Sequence, residues 1–200
     1  MLYFTLCCLI QKPEIKGLEI DYYKEFIDNK EAQEIHNFLL YNIPWKEEYI
    51  TIFGKETKCP RKVYWCGDYN LNYKYSGKVH KTDGWIAEIK HVKRKIEEHT
   101  HYKFNFVLLN YYNSGNDYMG WHSDNEKSLG VEPIIASLSI GSDREMLFKH
   151  KKTKIIKKIL LENRSLLIMK GDTQEQYLHS IPKRKNILAP RINLTFRLIK

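Results

Sequence analysis

The sequence predicts an α+β domain, with helices in its first half and a β-sandwich in its second. Three observations predict it. Apolar residues recur at three- and four-residue spacing in two early segments. From Phe104 onward the hydrophobic period changes to two. The alternating runs are short and separated by Gly, Asp and Asn, the turn chemistry of a sandwich or barrel. A chain of 200 residues suits one compact domain with a sizeable core. Its helices are expected to support one sheet.

Leu2 to Ile10 is apolar but too short to cross a bilayer, and it lacks the basic flank and cleavage site of a signal peptide. Residues 1–16 are therefore set apart as an N-terminal segment, expected to be a buried strand or a loosely ordered tail. Asp28-Asn29-Lys30-Glu31 fits a capping box, in which Asp28 accepts a backbone N–H and Glu31 reaches back. Ile35, Phe38 and Leu39 then form one helical face. A second helix is expected from Gly84 to His99, with Ile86, Ile89, Val92 and Ile96 on its apolar face and Asp83 as N-cap. The strand candidates are Phe104–Tyr112, Ile134–Ile140, Glu145–His150, Ile155–Leu161, Ser165–Met169, Gln176–Ser180 and Ile192–Ile199.

Hydrophobic residues make up 42% and charged residues 28%, the balance of a folded soluble chain rather than a disordered one. The net charge of +9 attracts polyanions. Cys7, Cys8, Cys59 and Cys66 form no C-x-x-C pair, so reduced thiols in an intracellular compartment are expected. No stretch reaches transmembrane length. A soluble monomer without membrane attachment is the expectation.

His122-Ser123-Asp124 places an imidazole and a carboxylate two residues apart. On a strand, positions i and i+2 share a face, so both can reach one ion. Iron needs a third protein ligand, and His179 lies 55 residues after Asp124 in another strand candidate. Two histidines and one carboxylate make the facial triad of non-haem iron oxygenases. The chain ends in Arg191-Ile192-Asn193-Leu194-Thr195-Phe196-Arg197, a strict alternation with both arginines on the polar face. On its own this reads as an edge strand with solvated arginines. A dicarboxylate, however, needs a cationic clamp at each end, and arginine binds carboxylate bidentately. Six residues of strand separate the two arginines by about 20 Å, so their side chains would have to lean toward each other.

Together, the H-x-D, the later His and the R-x-N-L-T-F-R ending resemble the AlkB family of iron(II)- and 2-oxoglutarate-dependent dioxygenases. Asn110-Tyr111-Tyr112 with Gly115 is similar to the family's N-x-Y-x-x-G strand, and Ile135-Ala136-Ser137-Leu138-Ser139-Ile140-Gly141 to a core strand. Pro60-Arg61-Lys62, Tyr73-Lys74-Tyr75-Ser76-Gly77 and Ala189-Pro190-Arg191 resemble an animal member that acts on double-stranded DNA. The resemblance spans about residues 17–200. It implies a double-stranded β-helix (jelly-roll) core over 104–200, with supporting helices and a substrate-binding lid over 17–103. It implies Fe(2+), 2-oxoglutarate and O2 as cofactors. His122, Asp124 and His179 are the implied iron ligands, and Asn110, Tyr112, Arg191, Asn193 and Arg197 the implied 2-oxoglutarate contacts.

The implied activity is oxidative demethylation of N-alkylated DNA bases such as 1-methyladenine and 3-methylcytosine. It is coupled to conversion of 2-oxoglutarate to succinate and to release of formaldehyde. The same chemistry on RNA, or a catalytically silent module that binds methylated nucleic acid, are the alternatives. On the substrate side the resemblance implies Phe53, Arg61, Tyr73, Tyr75, Ser76, Asn125 and Glu126. Ile52-Phe53-Gly54 is similar to a finger that fills the gap left by a flipped base. Tyr73 and Tyr75 share a strand face and are placed to stack on an extruded base. Asn125 stands where double-strand-acting relatives carry an acid; it can face a base carbonyl as well as an amine. Lys151, Lys152, Lys154, Lys157 and Lys158, and Lys183-Arg184-Lys185, are candidate phosphate contacts.

Overall fold

A computed structural model describes residues 17–52, 54–75 and 78–200. The elements in chain order are β1 (Glu19–Tyr23), α1 (Asn29–Asn42), β2 (Lys46–Ile52), β3 (Lys55–Gly67), β4 (Asn72–Tyr75), β5 (Lys78–Lys81), α2 (Ala87–Thr100), β6 (Phe106–Tyr112), β7 (Met119–His122), β8 (Ile135–Gly141), β9 (Arg144–His150), β10 (Ile156–Leu161), β11 (Leu166–Lys170), α3 (Thr173–Gln176), β12 (Tyr177–Ile181) and β13 (Arg191–Arg197). A seven-stranded sheet has the order β1-β11-β8-β13-β6-β3-β2, and a four-stranded sheet the order β10-β9-β12-β7. Strands β6 to β13 divide four and four between the two sheets and pair antiparallel throughout. This is the jelly-roll core that the sequence implies. Strands β1, β2 and β3 widen the larger sheet at its two edges, and β4 pairs with β5 as a separate hairpin.

Two apolar layers hold the sheets in place. Ala32, Ile35 and Leu39 of α1 and Ile89, Val92 and Ile96 of α2 pack on Val107, Leu109, Leu138, Ile140, Ile192, Leu194 and Phe196 of the larger sheet. Between the sheets lies a second layer built on Phe106, Leu108, Ile135, Met146, Phe148, Leu167, Met169 and Tyr177. Alternation along each central strand supplies both layers at once. Among the described residues no helix is long and apolar enough to cross a membrane.

The helix boundaries differ from expectation in two instructive ways. Asp28 does cap α1, its side chain accepting the Glu31 N–H at 2.8 Å. The Glu31 carboxylate, however, does not close the box; it pairs with Lys95 of α2 and so ties the two helices together. Helix α2 starts at Ala87, not Gly84, and its N-cap is Ile86 rather than Asp83. Gly84 has φ +105°, outside the helical region, and its carbonyl accepts the Gly67 N–H at 3.4 Å. The seven expected strands all form, with ends shifted by at most two residues. Strands β1, β2, β3 and β5 and helix α3 were not expected. Residues 1–16, Phe53 and Ser76 lie outside the described residues, as does the side chain of Tyr75.

Leu194 is fully buried in the helix-facing layer, in the middle of the central strand β13. Leu194→Ala is expected to lower unfolding free energy by about 2–5 kcal/mol, measured by urea denaturation. A loss below about 1 kcal/mol would mean that this layer is not close-packed.

Candidate metal centre and co-substrate cavity

The site is built on the inner face of β13. Ile192, Leu194 and Phe196 face the helices, so Arg191, Asn193, Thr195 and Arg197 face the interior between the sheets. The register brings polar partners alongside. Asn193 lies between Asn110 of β6 and Ser139 of β8, and Thr195 lies opposite Ser137. Asn193 Nδ2 donates to Ser137 Oγ at 2.8 Å and to the Leu138 carbonyl at 3.0 Å; Thr195 donates to Asn193 Oδ1 at 2.9 Å. The edge-strand reading of this segment fails, because β13 sits mid-sheet and every residue in it is buried.

His122 ends β7 and pairs with His179 of β12 across the smaller sheet, their ring centroids 4.2 Å apart. Asp124 does not continue that strand, as the i, i+2 argument required; β7 ends at His122. The Asp124 backbone N–H donates to the buried Gln174 Oε1 at 2.9 Å, which fixes the loop so that the carboxylate still reaches the histidines. One ligand atom from each of His122, Asp124 and His179 lies within 4.8 Å of the others. His122 Nδ1 is 2.9 Å from the Gly120 carbonyl. Donation there leaves the Nε2 lone pair facing Asp124 Oδ1, 3.9 Å away.

Electrostatics put these groups in the ligand state. Burial, then the neighbouring His122, pushes His179 down to about 3, and burial lowers His122 as well. Burial alone would raise Asp124, but the Arg197 guanidinium holds it below the ordinary carboxylate range. At neutral pH the cluster is therefore two neutral imidazoles and one carboxylate. Asp124 Oδ2 accepts from Arg197 Nη2 at 3.0 Å, while Oδ1 is buried with no hydrogen-bond partner. An orphaned carboxylate oxygen in that position is costly, and a cation shared with the two imidazoles relieves it. The donor set fits iron(II).

Arg197 stands at the metal end of β13 and Arg191 at the other. Arg191 Nη2 donates to Ser139 Oγ at 2.9 Å; its Nε and Nη1 are buried without an acceptor. Its guanidinium lies 5.4 Å from the Tyr112 ring. Burial lowers Arg191 to about 10, so it remains cationic at neutral pH, and two unused donors on a planar fork fit a carboxylate. Asn110, Tyr112, Asn193 and Arg197 line one cavity with the triad, whereas Arg191 lies behind Tyr112 rather than in the lining.

Three comparisons bear on this geometry. The family model of the 2OG-Fe(II) oxygenase superfamily matches residues 19–197. DNA oxidative demethylase ALKBH2 of Bos taurus is 37% identical over 199 residues, covering 92% of this chain and 70% of that protein. The Homo sapiens ALKBH2 is 36% identical, with 92% and 74% covered. The alpha-ketoglutarate-dependent dioxygenase alkB homolog 3 of Mus musculus is 37% identical over 187 residues, with 88% and 65% covered. The chain belongs to the AlkB family of 2OG-Fe(II) oxygenases. It is an iron(II)- and 2-oxoglutarate-dependent dioxygenase using O2. The solved structure of OsALKBH1 aligns over 96% of this chain and 100% of that one, with a TM-score of 0.66 at 17% identity; that likeness bears on the fold alone.

Around the AlkB-type cavity the expected substrate residues fall into different places. Arg61 is buried on β3 and does not face solvent. Its Nε donates to Asn110 Oδ1 at 2.6 Å, and its Nη2 is 3.8 Å from Glu48, which His80 meets at 3.1 Å. A charge on an inward strand position must be paired, and Arg61 so becomes a strut behind Asn110. Tyr73 is fully buried, its ring 4.8 Å from Phe106 and 5.9 Å from the Arg197 guanidinium. It offers no open face for stacking, which corrects that expectation. Asn125 is exposed beside Asp124, and Glu126 is half-buried and raised by burial, then by Asp124.

Several AlkB-cavity residues were not singled out from the sequence. Ser137 and Thr195 line the cavity, and Ser139 holds Arg191. The signal was present in the alternation Ser137-Leu138-Ser139, whose serines share the inner face. Arg144, also buried, has its guanidinium 5.6 Å from the Tyr112 ring centroid. Its Nη1 and Nη2 are committed to the carbonyls of Ser114, Asp117 and Pro182 at 3.3, 2.8 and 2.8 Å, which leaves only Nε without a partner. It therefore staples three segments rather than clamping a ligand. Gly115, the glycine of the N-x-Y-x-x-G run, leaves no room for a side chain: a Cβ would lie 1.7 Å from the Arg184 carbonyl oxygen.

The depressed His179 sets a sign for acid stability. The unfolded chain takes up a proton near pH 6.5, the folded one only near pH 3. The unfolded state binds more protons between these values, so metal-free protein loses stability as pH falls below about 6.5, by at most about 1.4 kcal/mol per pH unit for this group. Urea titrations of chelator-treated protein between pH 7 and 5 should show this slope, and His179→Gln should reduce it. An unchanged slope in the variant would show that His179 is protonated in the fold.

Proposed function

We propose that this chain removes N-methyl groups from nucleic-acid bases, DNA foremost, with 1-methyladenine and 3-methylcytosine as substrates. The observation that carries the reading is the cluster of His122, Asp124 and His179 set over a cavity floored by Asn110, Asn193 and Arg197. The names of the relatives, DNA oxidative demethylases, and the +9 charge support the substrate class.

In this reading His122, Asp124 and His179 hold the iron. Bound there, iron(II) with 2-oxoglutarate supplies the oxidising power: O2 is consumed, 2-oxoglutarate leaves as succinate and carbon dioxide, and the methyl carbon is hydroxylated and lost as formaldehyde. The protein's own residues do the positioning. Arg197 occupies Asp124 Oδ2 and so keeps Oδ1 directed at the two imidazoles. Arg191, held by Ser139 and backed by Tyr112, takes the distal carboxylate of 2-oxoglutarate on its unused Nε and Nη1. Asn193, locked by Ser137 and Thr195, and Asn110, locked by Arg61, present fixed amides to the cavity. Burial of this floor keeps water from competing for those contacts.

His179→Ala should abolish formaldehyde release from methylated oligonucleotides while near-ultraviolet circular dichroism is retained. Activity at the wild-type rate would remove His179 from the metal site. No release from methylated DNA by wild-type protein, with release from methylated RNA, would reject DNA as the substrate. Arg191→Lys should raise the half-saturating 2-oxoglutarate concentration roughly 10- to 100-fold, since lysine cannot make the bidentate contact. Arg191 is the cleaner target because Arg197 also holds Asp124. An unchanged 2-oxoglutarate requirement would reject Arg191 as the clamp.

A further inference from the structure

Strand β7 carries chemistry on both faces. His122 points inward to the metal cluster, so the preceding residue, Trp121, points outward. Trp121 is 38% exposed, one residue from a metal-binding position and on the edge strand of the smaller sheet. Lys149 of β9 places its ammonium 4.3 Å from the Trp121 ring centroid. Its neighbour Phe148 faces inward, 6.0 Å from His179, so Lys149 also lies on the outer face. The two side chains meet across β12, where Lys149 is opposite Leu178. A second pair of the same kind lies three residues earlier, where Lys183 Nζ is 4.7 Å from the Tyr118 ring. Lys158, exposed and opposite Leu147, lies on the same outer face of the sheet as Lys149.

Resting on the nucleic-acid reading above, we propose that Trp121 with Lys149 forms a stacking site for an unpaired base flanking the target nucleotide, so that this protein favours single strands over duplex. An exposed indole beside a cation is the pairing that sequence-tolerant single-strand binding uses: the ring takes any base face and the ammonium takes the neighbouring phosphate. The lysine does not block the site, because an exposed cation–π contact is weaker than base–aromatic stacking, and the flexible stem carries the ammonium to the phosphate. A duplex keeps its bases paired and stacked, so it presents no free base to the outer face of β7. The edge position lets one strand place its target base inside the cavity and its neighbour outside, around the same four-residue strand.

The test compares binding of an unmodified oligothymidylate and a blunt duplex to the full chain by fluorescence anisotropy. Trp121→Ala and Trp121→Leu, the second keeping an apolar cover on β12, should each weaken oligothymidylate binding about tenfold and duplex binding by less than about twofold. Trp121→Phe should recover most of the loss. Lys149→Ala should lower the salt dependence of oligothymidylate binding. Unchanged oligothymidylate affinity in Trp121→Leu, or equal losses on both probes, would overturn the stacking site. Formaldehyde release by the wild-type protein separates the two levels. Release with an unaltered Trp121→Leu affinity overturns this inference alone, whereas no release from any methylated oligonucleotide overturns the functional reading and this inference with it.

Discussion

Arg197 and Asp124 meet at 3.0 Å with 4% and 2% of their side chains exposed. Neither charge can be buried alone at acceptable cost; removing one partner of such a pair typically costs about 3–5 kcal/mol. The pair joins the last residue of β13 to the loop after β7, so it fixes the larger sheet to the smaller one at the metal end. It also sets the chemistry. Because Arg197 takes Oδ2 and depresses the carboxyl, Asp124 stays ionised in a site where burial opposes ionisation. Oδ1 then remains as the one carboxylate atom directed at His122 and His179. The rest of the cavity is arranged around this contact.

The polar stripe on β13 depends on register as much as on pairing. Its inner residues meet Tyr112, Asn110 and Leu108 on one side and Gly141, Ser139 and Ser137 on the other. A slip of one residue would turn Arg191 and Arg197 into the helix-facing layer and Ile192, Leu194 and Phe196 into the cavity. Both outcomes bury unpaired charge or lose apolar packing, so the hydrophobic layer under α1 and α2 is what holds the catalytic face in place. Gly141, with φ +96° and the Pro190 carbonyl 2.6 Å from where a Cβ would stand, lets the chain enter β13 at that register.

Much of this was legible in the sequence because the helices bury one face and the strands are short runs of period two or of continuous apolar residues between turn residues. The apolar faces of α1 and α2, the seven alternating runs and the H-x-D followed by a distant His all stand out by period and spacing. Where both faces of a segment are committed, local pattern misleads. β13 reads as an edge strand, yet its polar face is buried because it lines a ligand cavity. Arg61 and Tyr73 read as substrate contacts, yet each is wholly enclosed; sequence shows that a side chain points inward without showing what it meets there. β1, β2 and β3 escaped because their charged residues belong to strands that widen the sheet at its edges and hide the period. Asp124 was grouped with its histidines for a reason that fails, since the loop and Gln174, not a shared strand face, bring it there.

Two buried polar groups left without full pairing stand at opposite ends of the co-substrate floor. Asp124 Oδ1 lacks a donor at one end, and Arg191 Nε and Nη1 lack acceptors at the other. Each unpaired group carries a desolvation cost that the fold supports through the packing around it. The two groups have opposite demands: a cation for the carboxylate, an anion for the guanidinium. A metal ion and a dicarboxylate together answer both, and neither answers both alone. Ligands that relieve such costs bind the folded state and not the unfolded one, so they add to its stability by mass action. The unpaired atoms that are costly to bury are therefore the same atoms that select what the site binds.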